Sequence, residues 1–260
     1  MLFQILTLFV TCLLASTVGA VCGVGGGVLI KPVLDGLGIM TVSEASFLSG
    51  CTVLCMSAYA VLRAVRQGES PFRERTVPSL GLGAAFGGIG GRMVFDSLDK
   101  SLQTAKFVQS VLLFLLLLGS LVYTLFEHRI HTYKVKSAVT SALSGFFLGF
   151  FSAFLGIGGG PFNLIVLSFL FSMDTKTAAR NSLCIILFSQ AGALLYALLM
   201  QRIPPVHPLL LLVAVSGGLL GGIFGRRINQ RLSGGSIKKL FLALTVGILC
   251  ICVYNMLSAR

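Results

Sequence analysis

Two short stretches of this 260-residue chain carry the residue types best suited to chemistry: GVGGGVLIKP from Gly23 and GIGGGPFNLI from Gly156. Each sets a glycine triplet, Gly25, Gly26 and Gly27 or Gly158, Gly159 and Gly160, inside an otherwise apolar run. A triplet breaks a helix, and a new helix can begin just after it. Pro161 suits the first turn of such a helix, where its missing N–H costs nothing. The N–H groups of Gly26, Gly27, Val28, Gly159 and Gly160 would then project from two helix starts. Free N–H groups together with the helix dipole bind anions. The competing reading, that the glycines only permit a tight turn and close packing, stays open at this point.

Polar side chains near the triplets extend the candidate site. Asn163 lies one turn into the second short helix, and the following run carries Asn181, Ser182, Ser189 and Gln190. In the first half Ser49, Thr52 and Ser57 occupy the corresponding run. Amides inside a membrane need partners, so Asn163, Asn181 and Gln190 are expected to face the protein interior, as substrate contacts or as ties between helices. Lys31 follows Gly27 by four residues and could serve an anion or snorkel to the interface. Asp35 and Glu44, with Asp96 and Asp174, are the carboxylates near span boundaries and the candidates for ion coupling. Lys176, Arg180, Arg92 and Arg226 read as charges that set topology.

Other chemistry lacks its residues. There is no GxxxxGK[ST] phosphate loop, no GxSxG and no paired catalytic carboxylates. His128, His131 and His207 form no metal-ligand spacing, and the seven Cys sit in apolar runs as small hydrophobes. The expectation is a non-enzyme with no cofactor and no metal.

The elements that must hold these residues follow from composition and repetition. The chain is 55% hydrophobic and 11% charged, with a mean hydropathy of +0.95. Soluble domains are about 25% charged, so this is an all-α, multi-pass membrane protein. The net charge of +12 does not indicate nucleic acid, because Lys and Arg gather between apolar runs as membrane loops require. The first 22 residues lack a basic leader and read as a retained helix.

Sliding the chain by 133 residues aligns Gly23–Ala64 with the second half without gaps, matching Met40 with Met173, Ser49 with Ser182 and Cys51 with Cys184. At a shift of 134 the stripes Gly83, Gly87, Gly91 and Gly217, Gly221, Gly225 match as well. Such stripes let helix backbones approach closely, and the two striped helices are expected to cross at the bundle centre. The chain therefore divides into two homologous four-span repeats, 1–126 and 137–260, joined by a linker at 127–136. Ordinary spans are expected near 45–66, 78–96, 104–126, 178–200, 206–228 and 236–257. The stretches 2–39 and 137–172 would exceed about 50 Å as single helices at 1.5 Å per residue, against a hydrocarbon core of about 30 Å. Each should be a full helix plus a shorter one.

Charge decides which way the short piece runs. If each broken stretch is one crossing, the halves are parallel and the 20 basic residues split 11 to 9. If the short piece turns back, the halves are inverted and the split is 14 to 6, with only Lys31, Arg92, Lys100, Lys106, Arg202 and Arg260 on the poorer side. The richer side gathers Arg63, Arg66, Arg73, Arg75, Arg129, Lys176, Arg180 and Arg226 among others. The positive-inside rule favours inversion, with the linker Glu127–Lys136 cytoplasmic and both termini outside. Paired broken helices at matching places in two halves point to a transporter's substrate site.

GVGGGVLIKP, GFFLGFFSAFLGIGGGPFNLIVL at 145–167 and MDTKTAARNSLCIILFSQ at 173–190 resemble the sulfite exporter TauE/SafE family of membrane permeases, over essentially the whole chain. The resemblance implies a secondary transporter in the prokaryotic cell membrane, with a small anion as partner, such as sulfite, sulfoacetate or thiosulfate. Pro32 matches a proline the family often places after the glycines, and the second half carries Ile165 there instead. The family's Thr-Ser pair is Asn181-Ser182 here and Leu48-Ser49 in the first half, which bears on the substrate more than on the fold. A non-transporting membrane scaffold is the alternative, and homo-oligomerisation is left open.

Overall fold

The computed structural model describes residues 2–68, 76–98, 102–127 and 131–258. His128, and the loop charges Arg73, Arg75, Lys100, Arg129 and Arg260, lie outside the described residues. Ten helices account for nearly all of the described chain: α1 Leu2–Cys22, α2 Gly27–Leu37, α3 Val42–Arg66, α4 Thr76–Leu98, α5 Leu102–Phe126, α6 Ala138–Phe154, α7 Pro161–Phe171, α8 Thr175–Leu199, α9 Pro208–Arg231 and α10 Gly234–Ser258. The fold is all-α, with no strand among the described residues. Six helices (α1, α3, α5, α8, α9 and α10) have the length and hydropathy to cross a bilayer. The expected span at 78–96 lies within the 23-residue α4, whose Gly81, Gly83, Gly87, Gly88, Gly90 and Gly91 dilute its hydropathy. The outward faces are apolar: Phe3, Leu6, Val10 and Leu14 on α1, and Leu115, Leu118, Val122 and Leu125 on α5, are exposed. Contiguous apolar surface of this kind is stable against lipid and not against water.

Helix ends follow local chemistry. Thr41 and Glu44 form a capping box at the start of α3, each side chain taking the other's backbone N–H. Ser137 caps α6, and Asp174 caps α8 by accepting from the N–H groups of Lys176 and Thr177. Burial acts to raise the Asp174 carboxyl, but hydrogen bonds from Thr177 and Lys176 outweigh it and hold the group below the usual carboxylate value. Asp174→Ala should cost about 1 kcal/mol, read as a lower melting temperature in detergent. Asp174→Asn should recover most of the loss.

Both long stretches break at the glycines, as their length demands, and both short helices turn back. On the first, Ile30 and Leu34 of α2 pack in one cluster with Leu8, Cys12 and Ala15 of α1, so α2 runs down the helix it follows. On the second, the N–H groups of Tyr133 and Val135, just before α6, donate to the carbonyls of Phe169 and Leu170 at the end of α7. The short helix has returned to the level where its long partner began.

The glycine stripes do not face each other at the bundle centre. Each receives the first helix of the other half. A Cβ on Gly83, Gly87 or Gly91 of α4 would lie 2.0, 2.0 or 2.2 Å from the carbonyl oxygens of Ala142, Phe146 and Phe150 on α6. Gly221 and Gly225 of α9 stand in the same relation to Leu13 and Thr17 of α1, at 2.4 and 2.3 Å. The residue numbers rise together, so α1 runs parallel to α9. Helix α3 also runs parallel to α9, with Thr52 against Gly218 and Met56 against Gly222. Helices α3 and α8 pack antiparallel, with Gly50 beside Gln190 and Ala64 sharing a cavity wall with Lys176 and Arg180.

Candidate functional site

The two glycine turns are built alike. Val24 N–H donates to the Gly19 carbonyl at 3.0 Å, and Ile157 N–H to the Ser152 carbonyl at 3.3 Å. Gly25 and Gly158 then take left-handed backbone, φ +77° and +69°, which a side chain would strain. The turns differ in where the helix begins. Gly26 is already right-handed and α2 starts at Gly27. Gly159 has φ +134°, and α7 starts one position later, at Pro161, behind an extended Gly160.

These turns touch. A Cβ on Gly27 would lie 2.1 Å from the Ile157 carbonyl oxygen and 2.8 Å from Ser49 Oγ. Gly26 faces Ser16 Oγ in the same way at 2.6 Å, and Gly159 faces Asn163 Nδ2 at 3.2 Å. Val53 of α3 and Ile186 of α8 close the turns from the side, Val53 packing on Gly25 and Gly158 and Ile186 on Gly25 and Gly159. Among the described residues, none accepts a hydrogen bond from the N–H groups of Gly26, Gly27, Val28, Gly159 or Gly160.

Against the turns lie buried side chains whose polar atoms have no partner: Ser16 Oγ, Ser49 Oγ, and both the amide oxygen and nitrogen of Asn163. Ser182 Oγ on α8 is likewise buried without one. All four residues are 0% exposed. Burying so many unmet groups is costly, and such groups call for a partner. A polar ligand would supply one.

The structure sorts the sequence candidates. Gly25–Gly27, Gly158–Gly160 and Asn163 come together, and Ser182 and Gln190 lie buried on the adjoining α8. Gln190 Nε2 donates to Ser152 Oγ at 3.5 Å, and Ser189 donates to the Gly149 carbonyl, so this part of α8 is tied to α6. Asn181 turns to the Met173 sulfur at 3.2 Å. Glu44 is spent on its capping box. Asp96 pairs with Arg92 at 3.0 Å, and Arg92 also lies over the Phe95 ring. Ser16, Ser152, Gln109 and Asn255 were not singled out by sequence reasoning. The signal for the two amides was a polar side chain near one end of an otherwise apolar span.

The charges hold two further corrections. Lys31 does not snorkel; it is 3% exposed and bonds Gln109 of α5 and Asp35. Lys176, Arg180 and Arg226 do more than set topology. They line one cavity of about 260 Å³, walled by Met56, Ala60, Val61 and Ala64 of α3, with Gly23 at its inner edge. None of its lining residues is acidic. Arg226 is held in place by the Ala60 carbonyl and Gln67 Oε1, at 2.8 and 2.7 Å. The triplets themselves do not line this cavity; they are buried beyond it.

Comparison with known proteins fits a membrane carrier. The family model described as sulfite exporter TauE/SafE matches residues 8–251. A curated relative, the "Probable membrane transporter protein YunE" of Bacillus subtilis (strain 168), is 24% identical over 263 residues, covering 94% of this chain and 95% of the relative. No solved structure matches the chain significantly.

Proposed function

Because the chain belongs to the sulfite exporter TauE/SafE family, we propose that it is a secondary permease for a small anion, a sulfur-containing oxoanion or organosulfonate such as sulfite, sulfoacetate or thiosulfate. One observation carries this reading. Two helix starts with N–H groups lacking acceptors meet in the interior, against the buried and unpartnered Ser16, Ser49 and Asn163. Backbone donors at a helix start, reinforced by hydroxyl and amide donors, suit an oxoanion. The basic cavity gives the anion a way in, since Lys176, Arg180 and Arg226 concentrate negative ions at its mouth.

Residues 1–126 and 137–260 are read as two repeats in inverted orientation, joined by 127–136. The antiparallel pairing of α3 with its sequence counterpart α8 supports this, as does the 14 to 6 split of basic residues. Transport then proceeds as one repeat moves against the other around the turns. In this conformation the triplets are closed off, and the basic cavity stops at Gly23.

The test is uptake of labelled sulfite, thiosulfate and sulfoacetate into vesicles holding the purified protein. Saturable uptake above protein-free vesicles supports the reading, and its absence for all three refutes it. Lys176→Glu places an acid in the cavity mouth at an exposed position. It should raise the half-saturating anion concentration about tenfold, leave the maximal rate nearly unchanged, and lose its effect at high salt.

A further inference from the structure

Lys31 and Asp35 form an ion pair inside the bundle, one turn apart on α2, with Nζ 3.2 Å from Oδ2 and residue exposures of 3% and 8%. Gln109 joins this pair to the other half of the molecule. Its carbonyl oxygen accepts from Lys31, and its amide nitrogen donates to the Phe154 carbonyl at the end of α6. The Lys31 stem crosses behind the second turn, its Cε 3.1 Å from where a Gly156 Cβ would sit. From α10, Asn255 Nδ2 donates to the Pro32 carbonyl at 3.0 Å. Lys31, Asp35, Gln109, Leu155, Ile157 and Asn255 border a cavity of about 10 Å³, roughly room for one water.

We propose that Asp35 takes up one proton for each monovalent anion the site binds, while Lys31 keeps its charge, so that anion and proton cross together. The proposal rests on the transport reading. In the empty site Lys31⁺ and Asp35⁻ sum to zero. A monovalent anion would make the site negative, unless a proton adds to the Asp35 carboxylate and forms its O–H bond. The loaded site is then neutral again: Lys31⁺, a neutral Asp35 carboxyl, and the anion. Anion without proton leaves one negative charge, and proton without anion leaves one positive charge. A net charge is strongly disfavoured in a low-dielectric interior. The two neutral forms are therefore the ones that reorient, and uncoupled leak is suppressed.

Lys31 need not touch the anion. Charges a few ångströms apart interact strongly away from water, and the ammonium sits beside the second turn. Among the described side chains, the helices packed against α2 also carry Cys12 and Cys22 on α1, and Lys238, Lys239, Cys250, Cys252 and Tyr254 on α10. Helix α3 carries Glu44, in its capping box, and Cys51, Cys55, Tyr59, Arg63 and Arg66. Thiols, phenols and the cationic groups are weaker acids than a carboxyl, and Glu44 is outside the pair's network.

The wild-type protein is reconstituted in vesicles with a pH dye inside, and given an inward gradient of monovalent methanesulfonate, or of sulfoacetate or thiosulfate. The second negative charge of the latter two leaves the loaded site one charge short of neutral and should slow net influx. Counterflow of the labelled anion is measured in parallel. Expected is interior acidification during net influx, near one proton per methanesulfonate, and none during counterflow. Asp35→Asn should abolish the acidification, flatten the pH dependence of counterflow, and lower the ratio of net uptake to counterflow about tenfold. Lys31→Gln should lose counterflow, since the remaining carboxylate repels the anion. Net influx without acidification overturns the coupling and leaves the transport reading standing. Wild-type counterflow in Lys31→Gln overturns it also. Absence of counterflow for every anion overturns both. If Asp35→Asn does not fold, the wild-type proton measurement still decides.

Discussion

Gly27→Ala should reduce transport by about 100-fold, the loss that an ångström-scale misplacement near a site can cause. The new Cβ would lie 2.1 Å from the Ile157 carbonyl oxygen, and that oxygen belongs to backbone. Ordinary contact begins near 3.4 Å, so the two turns must separate by more than about 1 Å. No rotamer change relieves this, because neither partner is a flexible side chain. Gly27 is helical, so the backbone tolerates alanine and the effect is purely one of contact. Gly247→Ala is the control: it too is helical, and its Cβ would meet nothing within 4 Å. There alanine should be neutral or stabilise by up to about 1 kcal/mol. Uptake in vesicles and melting in detergent separate the outcomes. Equal transport in Gly27→Ala and wild type would remove the apposed turns from the mechanism.

Gly87→Leu should prevent the protein from assembling. Helices in lipid gain little from the hydrophobic effect and associate by close packing. Helices α4 and α6 depend on that closeness, with Gly83, Gly87 and Gly91 each seated on a carbonyl of α6. Even a Cβ at Gly87 would fall 2.0 Å from the Phe146 oxygen. Leucine must drive the helices apart along the whole stripe, and overpacking of this kind costs about 1–3 kcal/mol even where a core can adjust. Loss of the monodisperse species on size-exclusion chromatography in detergent is the readout. Gly90→Ala, on the same helix, meets only the ring atoms Phe150 Cδ2 at 3.7 Å and Phe146 Cζ at 3.9 Å, both ordinary contacts, and should behave as wild type.

Much of this was written in the chain. Hydropathy alone makes the protein helical and membrane-embedded. The arithmetic of helix rise against bilayer thickness requires breaks within 2–39 and 137–172, and the glycine triplets say where. The stretches around those glycines also carried the family resemblance, which the family match over residues 8–251 bears out. These features are local, set by composition, spacing and backbone freedom, so they can be read one window at a time.

The pairing of distant surfaces was not legible. A glycine stripe announces a close approach but not which helix approaches, and each stripe seats α6 or α1 where the other stripe was expected. Lys31 looked as ready to reach the interface as to stay inside. Only Gln109, 78 residues away in the chain, together with Asp35, makes burial tolerable. Lys176, Arg180 and Arg226 resembled loop charges until the antiparallel crossing of α3 and α8 set them around one cavity. The sequence by itself determined the membrane class, the helix breaks and the backbone donors at each break. The tertiary structure alone decided that the breaks meet, that Ser16 and Ser49 join them, and that a charge pair lies behind them. Contacts across the bundle depend on which backbones can approach, and that is a property of the packed whole.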